Sequence, residues 1–272
     1  MIKNISNLGD AAIYCDFGSE VNREINHEVI KYFKTLTSKN INEITNLAPS
    51  YNKLIITFDL DVINYKELVE KIIDLKPDEI SETASKRKKI PICIDEEFAL
   101  DIERVSKNTN LNIKEVYKHI LNKDFYCYMT GFVAGMPFLG DTNKNIRLKR
   151  LETPRVKVPK GSVGITEQFC NIYTYESPGG WNIIGNTPVK VFDKNKEENP
   201  ILIKPGDSVQ FYEITKNEKF LVSPSFIRLF LESCLTCNLI NLSIVANLFK
   251  SFSATPEVIS ATLWSPSNIS KV

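Results

Sequence analysis

Two histidines in 272 residues, His27 and His119, leave little room for imidazole chemistry. They are remote from each other in the sequence. A structural zinc site takes four ligands, usually as two pairs. The one C-x-x-C spacing, Cys234 to Cys237, has no second pair to complete it. A redox reading needs the first cysteine at a helix start after a strand. Here the pair lies inside an apolar run, which favours two inert thiols one helical turn apart. No metal site is evident. G-x-S-x-G, Walker A and G-x-G-x-x-G patterns are also absent, so no nucleophile elbow or phosphate cradle can be named. A charge excess is missing too: 34 Lys and Arg face 33 Asp and Glu, a net +1. No field of one sign draws the chain to nucleic acid or to an anionic membrane surface.

The start, "MIKNISNLGDAAIYCDFG", is interrupted by Asp10 and Asp16 and does not read as a secretory signal. Four cysteines (Cys15, Cys93, Cys127, Cys170) sit in apolar or aromatic stretches such as "IYCDF" and "FYCYM". That placement suits buried thiols in a reducing compartment, and a cytoplasmic location is expected. A hydrophobic fraction of 43% with 25% charge is that of a globular protein with a core. The length suits one large domain or two ordinary ones.

The first part has a clear rhythm. "AAIYCDFG" reads as a strand. "SEVNREINHEVIKYFKTL" places Val21, Ile25, Val29, Tyr32 and Leu36 on one helical face, with Ser19 as the expected N-cap. "EITNLAPS" and "NKLIITFD" read as two strands. "NYKELVEKIIDL" is a second helix, with Leu68, Ile72 and Leu75 inward and Asn64 near its cap. "KKIPICID" is read as a fourth strand, which makes the order β-α-β-β-α-β, a split βαβ sheet. The basic run in "SETASKRKK" (81–89) reads as a solvated connector.

"EEFALDIERVSKNTNLNIKEVYKHIL" divides into two short helices at Asn110 and Asn112. Eight of the eleven glycines then fall between Gly131 and Gly185. Strand-like pieces alternate there with Gly/Pro turns, as in an all-β sandwich or barrel. "KPGD" (204–207) is a tight turn. The apolar segment 226–249 contains Arg228 and Glu232 and is no clean membrane span. It reads best as a buried or partner-facing helix.

Three segments are candidates for function. "GFVAGMPFLG" (131–140) offers Phe132 and Met136 as the wall of an apolar or mixed pocket. "TPRVKVPKGSVGI" (153–165) offers Arg155, whose fork suits a carboxylate. "ESPGGWNIIGNTP" (176–188) offers Glu176, Ser177, Gly179, Gly180 and Trp181. The paired glycines allow close approach, and tryptophan is common at interfaces and pockets. The structural alternatives are a rim of tight turns, a surface ion pair and a hairpin with a core tryptophan.

Together, and followed by "KPGDSVQF", these three segments closely resemble the family of KipI and the B component of 5-oxoprolinase, also labelled allophanate hydrolase subunit 1. The resemblance covers roughly residues 8–214. It implies an α+β fold class: a split βαβ, ferredoxin-like N-terminal domain (1–82), then a cyclophilin-like β-barrel domain (90–214) with leading helices. Residues 215–272 form an apolar extension without a counterpart. The resemblance further implies a subunit of an ATP-dependent 5-oxoprolinase that opens pyroglutamate, a cyclic amide, to glutamate. ATP would be bound by or shared with a partner. The implied partners are a second cyclophilin-like subunit of the KipA type, the C component of 5-oxoprolinase, and a third, lactam-utilisation-type subunit. Some relatives instead inhibit a sensor histidine kinase, and related modules occur in urea-processing enzymes. Ala134 and Met136 stand where the family usually carries proline and phenylalanine.

Overall fold

The computed structural model describes residues 1–77 and 87–221. The apolar segment 226–249 with its Cys234 and Cys237, and residues 81–86 of the basic connector, lie outside the described residues. The described residues form two units. The first runs from Met1 through residue 77 and includes Tyr128–Thr130; the second starts at Arg87 and takes the rest.

The first unit is an antiparallel sheet of four strands with two helices. Its strands are β1 (Asn4–Asn7), β2 (Ala12–Asp16), β3 (Ile44–Pro49) and β4 (Lys53–Phe58), in the order β1-β2-β4-β3. Helix α1 (Arg23–Lys39) follows β2 and α2 (Tyr65–Ile73) follows β4. One face of the sheet carries Ile13, Cys15, Leu54 and Ile56, all fully buried against Val29, Leu36, Leu68 and Ile72 of the helices. Each such aliphatic side chain contributes about 1.5–3 kcal/mol by leaving water. The cap of α1 is Asn22 rather than Ser19: its Oδ1 accepts from the Ile25 N–H at 2.9 Å. Asn64 caps α2 in the same way, through the Glu67 N–H.

The split βαβ reading is corrected here. Its fourth strand, "KKIPICID", does not belong to this sheet. The edge place beside β2 is taken by β1, "NISN", in antiparallel register from Asn4 opposite Asp16 to Asn7 opposite Ile13. The resulting order along the chain is β-β-α-β-β-α. A short strand with asparagine at both ends gives almost no period-two apolar signal, which is why its pattern is silent.

The second unit is built on a closed barrel of seven strands, consistent with the cyclophilin-like barrel implied by the resemblance. They are β5 (Arg87–Cys93), β6 (Asp124–Thr130), β7 (Pro137–Gly140), β9 (Ser162–Thr166), β10 (Phe169–Ile172), β12 (Asn182–Asn186) and β13 (Ser208–Ile214). The order around the barrel is β10-β7-β6-β13-β5-β12-β9, closed by the β9–β10 hairpin. "KKIPICID" falls on β5, and residues 87–89 of the basic connector are the first three of that strand. It runs parallel to β13, Arg87 opposite Ser208 through Cys93 opposite Ile214, and meets β12 at Cys93 and Asn186. Its unbroken buried run Ile90–Cys93 is what a strand with neighbours on both sides and packing on both faces requires. Strands β8 (Arg155–Val158) and β11 (Ser177–Gly179) pair separately.

Helices α3 (Ile102–Thr109) and α4 (Ile113–Leu121) pack on the barrel through Ile102, Val105, Val116, Tyr117 and Ile120, which share one core with Ile92, Phe125 and Phe211. Asn110, left-handed at φ +55, ends α3. Asn112 and Glu115 form a reciprocal capping box that starts α4. The "KPGD" turn closes by the Asp207 N–H to Lys204 C=O bond at 3.0 Å, with Gly206 at φ +90. A short helix, α5 (Lys216–Leu221), follows β13. Among the described residues no helix is long and apolar enough to cross a membrane.

Candidate functional site

The glycine-punctuated segments converge in part. Met136 is buried in a small cluster with Val158, Tyr173 and Ile183, flanked by Val133 and Phe138. Trp181 is 9% exposed and meets the Phe138 ring edge-to-face, with centroids 5.7 Å apart. Gly164 lies beneath it. A Cβ there would press on Asn171 Oδ1 and on the Trp181 Cβ, at 2.9 and 3.0 Å. The two glycines before the tryptophan differ in purpose. At Gly179 the Tyr173 hydroxyl occupies the space a Cβ would need. Gly180 has no neighbour nearer than 3.5 Å to such an atom, and its carbonyl accepts from the Leu151 N–H at 2.7 Å.

This cluster has a polar lining. Burial pushes the Tyr173 phenol above its usual pKa, against the opposing influence of Asn171, Arg150, the Trp181 backbone and Arg155. The phenol therefore keeps its proton at physiological pH. Two buried polar atoms here, Asn171 Oδ1 on β10 and Ser177 Oγ on β11, have no hydrogen-bond partner among the described residues.

Arg155 is engaged elsewhere. Its Nη1 and Nη2 donate to both carboxylate oxygens of Asp101, at 2.9 and 2.7 Å. Asp101 is 5% exposed and also accepts from the Ile183 N–H at 2.7 Å, while its own N–H donates to the Ile183 carbonyl. The neighbouring Asn182 accepts from Arg104 and donates to the carbonyls of Lys149 and Ile165, both at 3.1 Å. These bonds pin the start of α3 to β8 and β12. The structure thus brings Met136, Gly179 and Trp181 together around Tyr173, Phe138 and Asn171. Phe132, in the left-handed region at φ +68, is 73% exposed. Glu176 is exposed and pairs with Lys157 at 3.1 Å. Among the described residues no group of three or more His, Cys, Asp or Glu side chains could hold a metal ion.

One cavity escapes sequence reading altogether. It has a volume of about 520 Å³, and its lining includes Phe98, Lys160, Lys190, Lys216, Lys219 and Phe220. These residues come from separate stretches of the chain, and no local pattern links them.

The model of the carboxyltransferase domain, subdomain C and D, matches residues 3–203. The B component of 5-oxoprolinase from Bacillus subtilis is 32% identical over 227 residues, covering 79% of this chain and 94% of that protein. The chain belongs to this family. The B component of 5-oxoprolinase from Haemophilus influenzae is 30% identical over 209 residues, with 76% and 96% covered. Among solved structures, that of TTHA0988 superposes with a TM-score of 0.68 at 28% identity, over 75% of this chain; the chain spans 40% of its length. The carboxyltransferase C and D match takes in all three Gly/Pro segments and ends before β13 and α5.

Proposed function

We propose that this chain is one subunit of an ATP-dependent 5-oxoprolinase, which hydrolyses 5-oxo-L-proline (pyroglutamate) to L-glutamate. The observation that carries the reading is the 32% identity to the B. subtilis 5-oxoprolinase B component across 94% of that protein. A lactam is a stable amide, and its ring opening needs an activated carbonyl; in this reaction class ATP supplies the activation by phosphorylation. The chain carries no glycine-rich phosphate loop, so ATP is bound by, or shared with, a partner.

The engagement of Arg155 by Asp101 supports a divided site, because this guanidinium fork is occupied within the chain. So does the exposure of Phe132, Val156 and Tyr175 on or beside the same loops, which leaves apolar surface for a partner to cover. The partners proposed are a second cyclophilin-like subunit of the KipA type, the C component of 5-oxoprolinase, and a lactam-utilisation-type subunit. Trp181, Gly179 and Met136 then shape the loops that face them.

The test is reconstitution. The three subunits are co-expressed, and ATP-dependent release of glutamate from 5-oxo-L-proline is measured with each omitted in turn. Activity is expected only with this chain present. Undiminished turnover in its absence would overturn the reading. A component of a urea-type carboxylase is the second reading, favoured by the carboxyltransferase family match itself; biotin-dependent carboxylation of urea by the purified complex would establish it instead.

A further inference from the structure

The cavity bounded by Lys160 and Lys219 has an unusual balance of charge. Four lysines and no acidic side chain are among its described lining residues. Two of the lysines are neutralised from just outside: Lys190 pairs with Asp193 and Lys216 with Glu97, each at 2.7 Å. Lys160 and Lys219 have no carboxylate within ion-pair reach among the described residues. The Lys219 ammonium instead lies 3.5 Å from the centroid of the Phe98 ring. Pro188, Val189 and Phe220 supply further apolar wall.

Two ammonium groups without an ion-pair partner among the described residues, in a concave and partly apolar site, are an incomplete arrangement. Burial lowers the Lys219 pKa, with Cys93 and Glu97 pulling the other way. An ammonium partly stripped of water gains more from an anion than a fully hydrated one. The Thr187 hydroxyl, whose oxygen accepts from the Val189 N–H, keeps its proton for a further acceptor. The volume is within the range of small-molecule pockets and far exceeds what an inorganic ion needs.

We propose that this cavity binds an organic phosphate, its phosphate oxygens held by the ammonium groups of Lys160 and Lys219 and its organic body resting on the Phe98, Pro188 and Val189 wall. Phosphate is preferred to carboxylate because the site offers more positive charge than one carboxylate would neutralise. Lys216, Lys219 and Phe220 lie beyond the segment matched by the carboxyltransferase model, so the site is partly a feature of this chain's own C-terminal side.

The test is calorimetric titration of the full chain with ATP, AMP, adenosine, pyrophosphate and 5-oxo-L-proline. ATP or AMP is expected to bind, more tightly than adenosine, and more weakly as salt rises. Lys160→Met and Lys219→Met each remove a charge-assisted contact while retaining an apolar stem, and each is expected to weaken binding about tenfold or more. Lys114→Met, on the exposed face of α4, should leave affinity unchanged. Unfolding midpoints of the variants check that the fold persists. The proposal is overturned if no phosphate compound binds at millimolar concentration, if neither cavity variant weakens binding, or if 5-oxo-L-proline binds and the phosphates do not. The outcome is separable from that of the reconstitution, since binding is read on the isolated chain and turnover on the complex.

Discussion

Arg155 and Asp101 are joined by two parallel hydrogen bonds, Nη1 to Oδ2 and Nη2 to Oδ1, although they stand 54 residues apart. The pair is a bracket inside the second unit. Removing the arginine leaves a buried carboxylate with one N–H partner, and such truncation is costly. Arg155→Met is therefore expected to destabilise by about 3 kcal/mol, measured as a shift in the urea midpoint. A direct role in holding substrate would show differently, as a raised KM in the assembled enzyme with stability unchanged.

The adjacent glycines separate packing from convenience. Gly179→Ala drives a methyl into the Tyr173 hydroxyl and should cost about 1–3 kcal/mol. Gly180→Ala meets nothing nearer than 3.5 Å and should change stability by less than about 0.5 kcal/mol. Thermal unfolding of the two single variants decides the matter; equal losses would mean that Tyr173 does not set the constraint.

Much of this was readable beforehand, and the limits have physical causes. Helices α1 to α4 follow from their periodic apolar faces and asparagine caps, which are local properties. Strand β5 shows the boundary of such reading. Its residues declare a strand, but which sheet receives it depends on β13 and β12, far along the chain. Arg155 was legible as a carboxylate fork, and the carboxylate proved to be the protein's own. Trp181 was legible as a tryptophan of a tight loop, while its partner Phe138 and the glycine beneath it come from other strands. The lysine cavity has no sequence signature, because its lining comes from separate stretches of the chain.

Alkali should loosen the first unit through Cys15. Burial pushes this thiol from 9.0 to about 12. A pKa raised on folding means that stability is complete below the unfolded value and falls as pH climbs from about 9 towards 12. Urea midpoints measured between about pH 8 and 10.5 should lose about 1–2 kcal/mol from this group. Cys15→Ala should flatten that slope, whatever it costs at neutral pH. An unchanged slope would show that the thiol is not the group responsible.

Asn26 is fully buried, and its amide nitrogen donates to the carbonyls of Ser50, Tyr51 and Tyr128, at 3.0, 2.8 and 3.2 Å. Asn26→Asp replaces that donor with a charged acceptor facing three carbonyl oxygens. A loss of about 3 kcal/mol or more at neutral pH is expected, read by chemical denaturation. A neutral outcome would mean that this amide does not hold the three backbone segments.

The parallel pairing of β5 with β13 joins the first barrel strand to the last. Every other barrel strand leaves the ribosome between them. The growing chain therefore leaves one backbone edge of β5 unpaired until Ser208–Ile214 has been made. A nascent chain halted before β13 is an open sheet with two free edges, β5 and β6, prone to pair with its neighbours. Its deletion should yield aggregate rather than a smaller barrel, which makes the terminal strand the point at which synthesis commits the second unit to its fold.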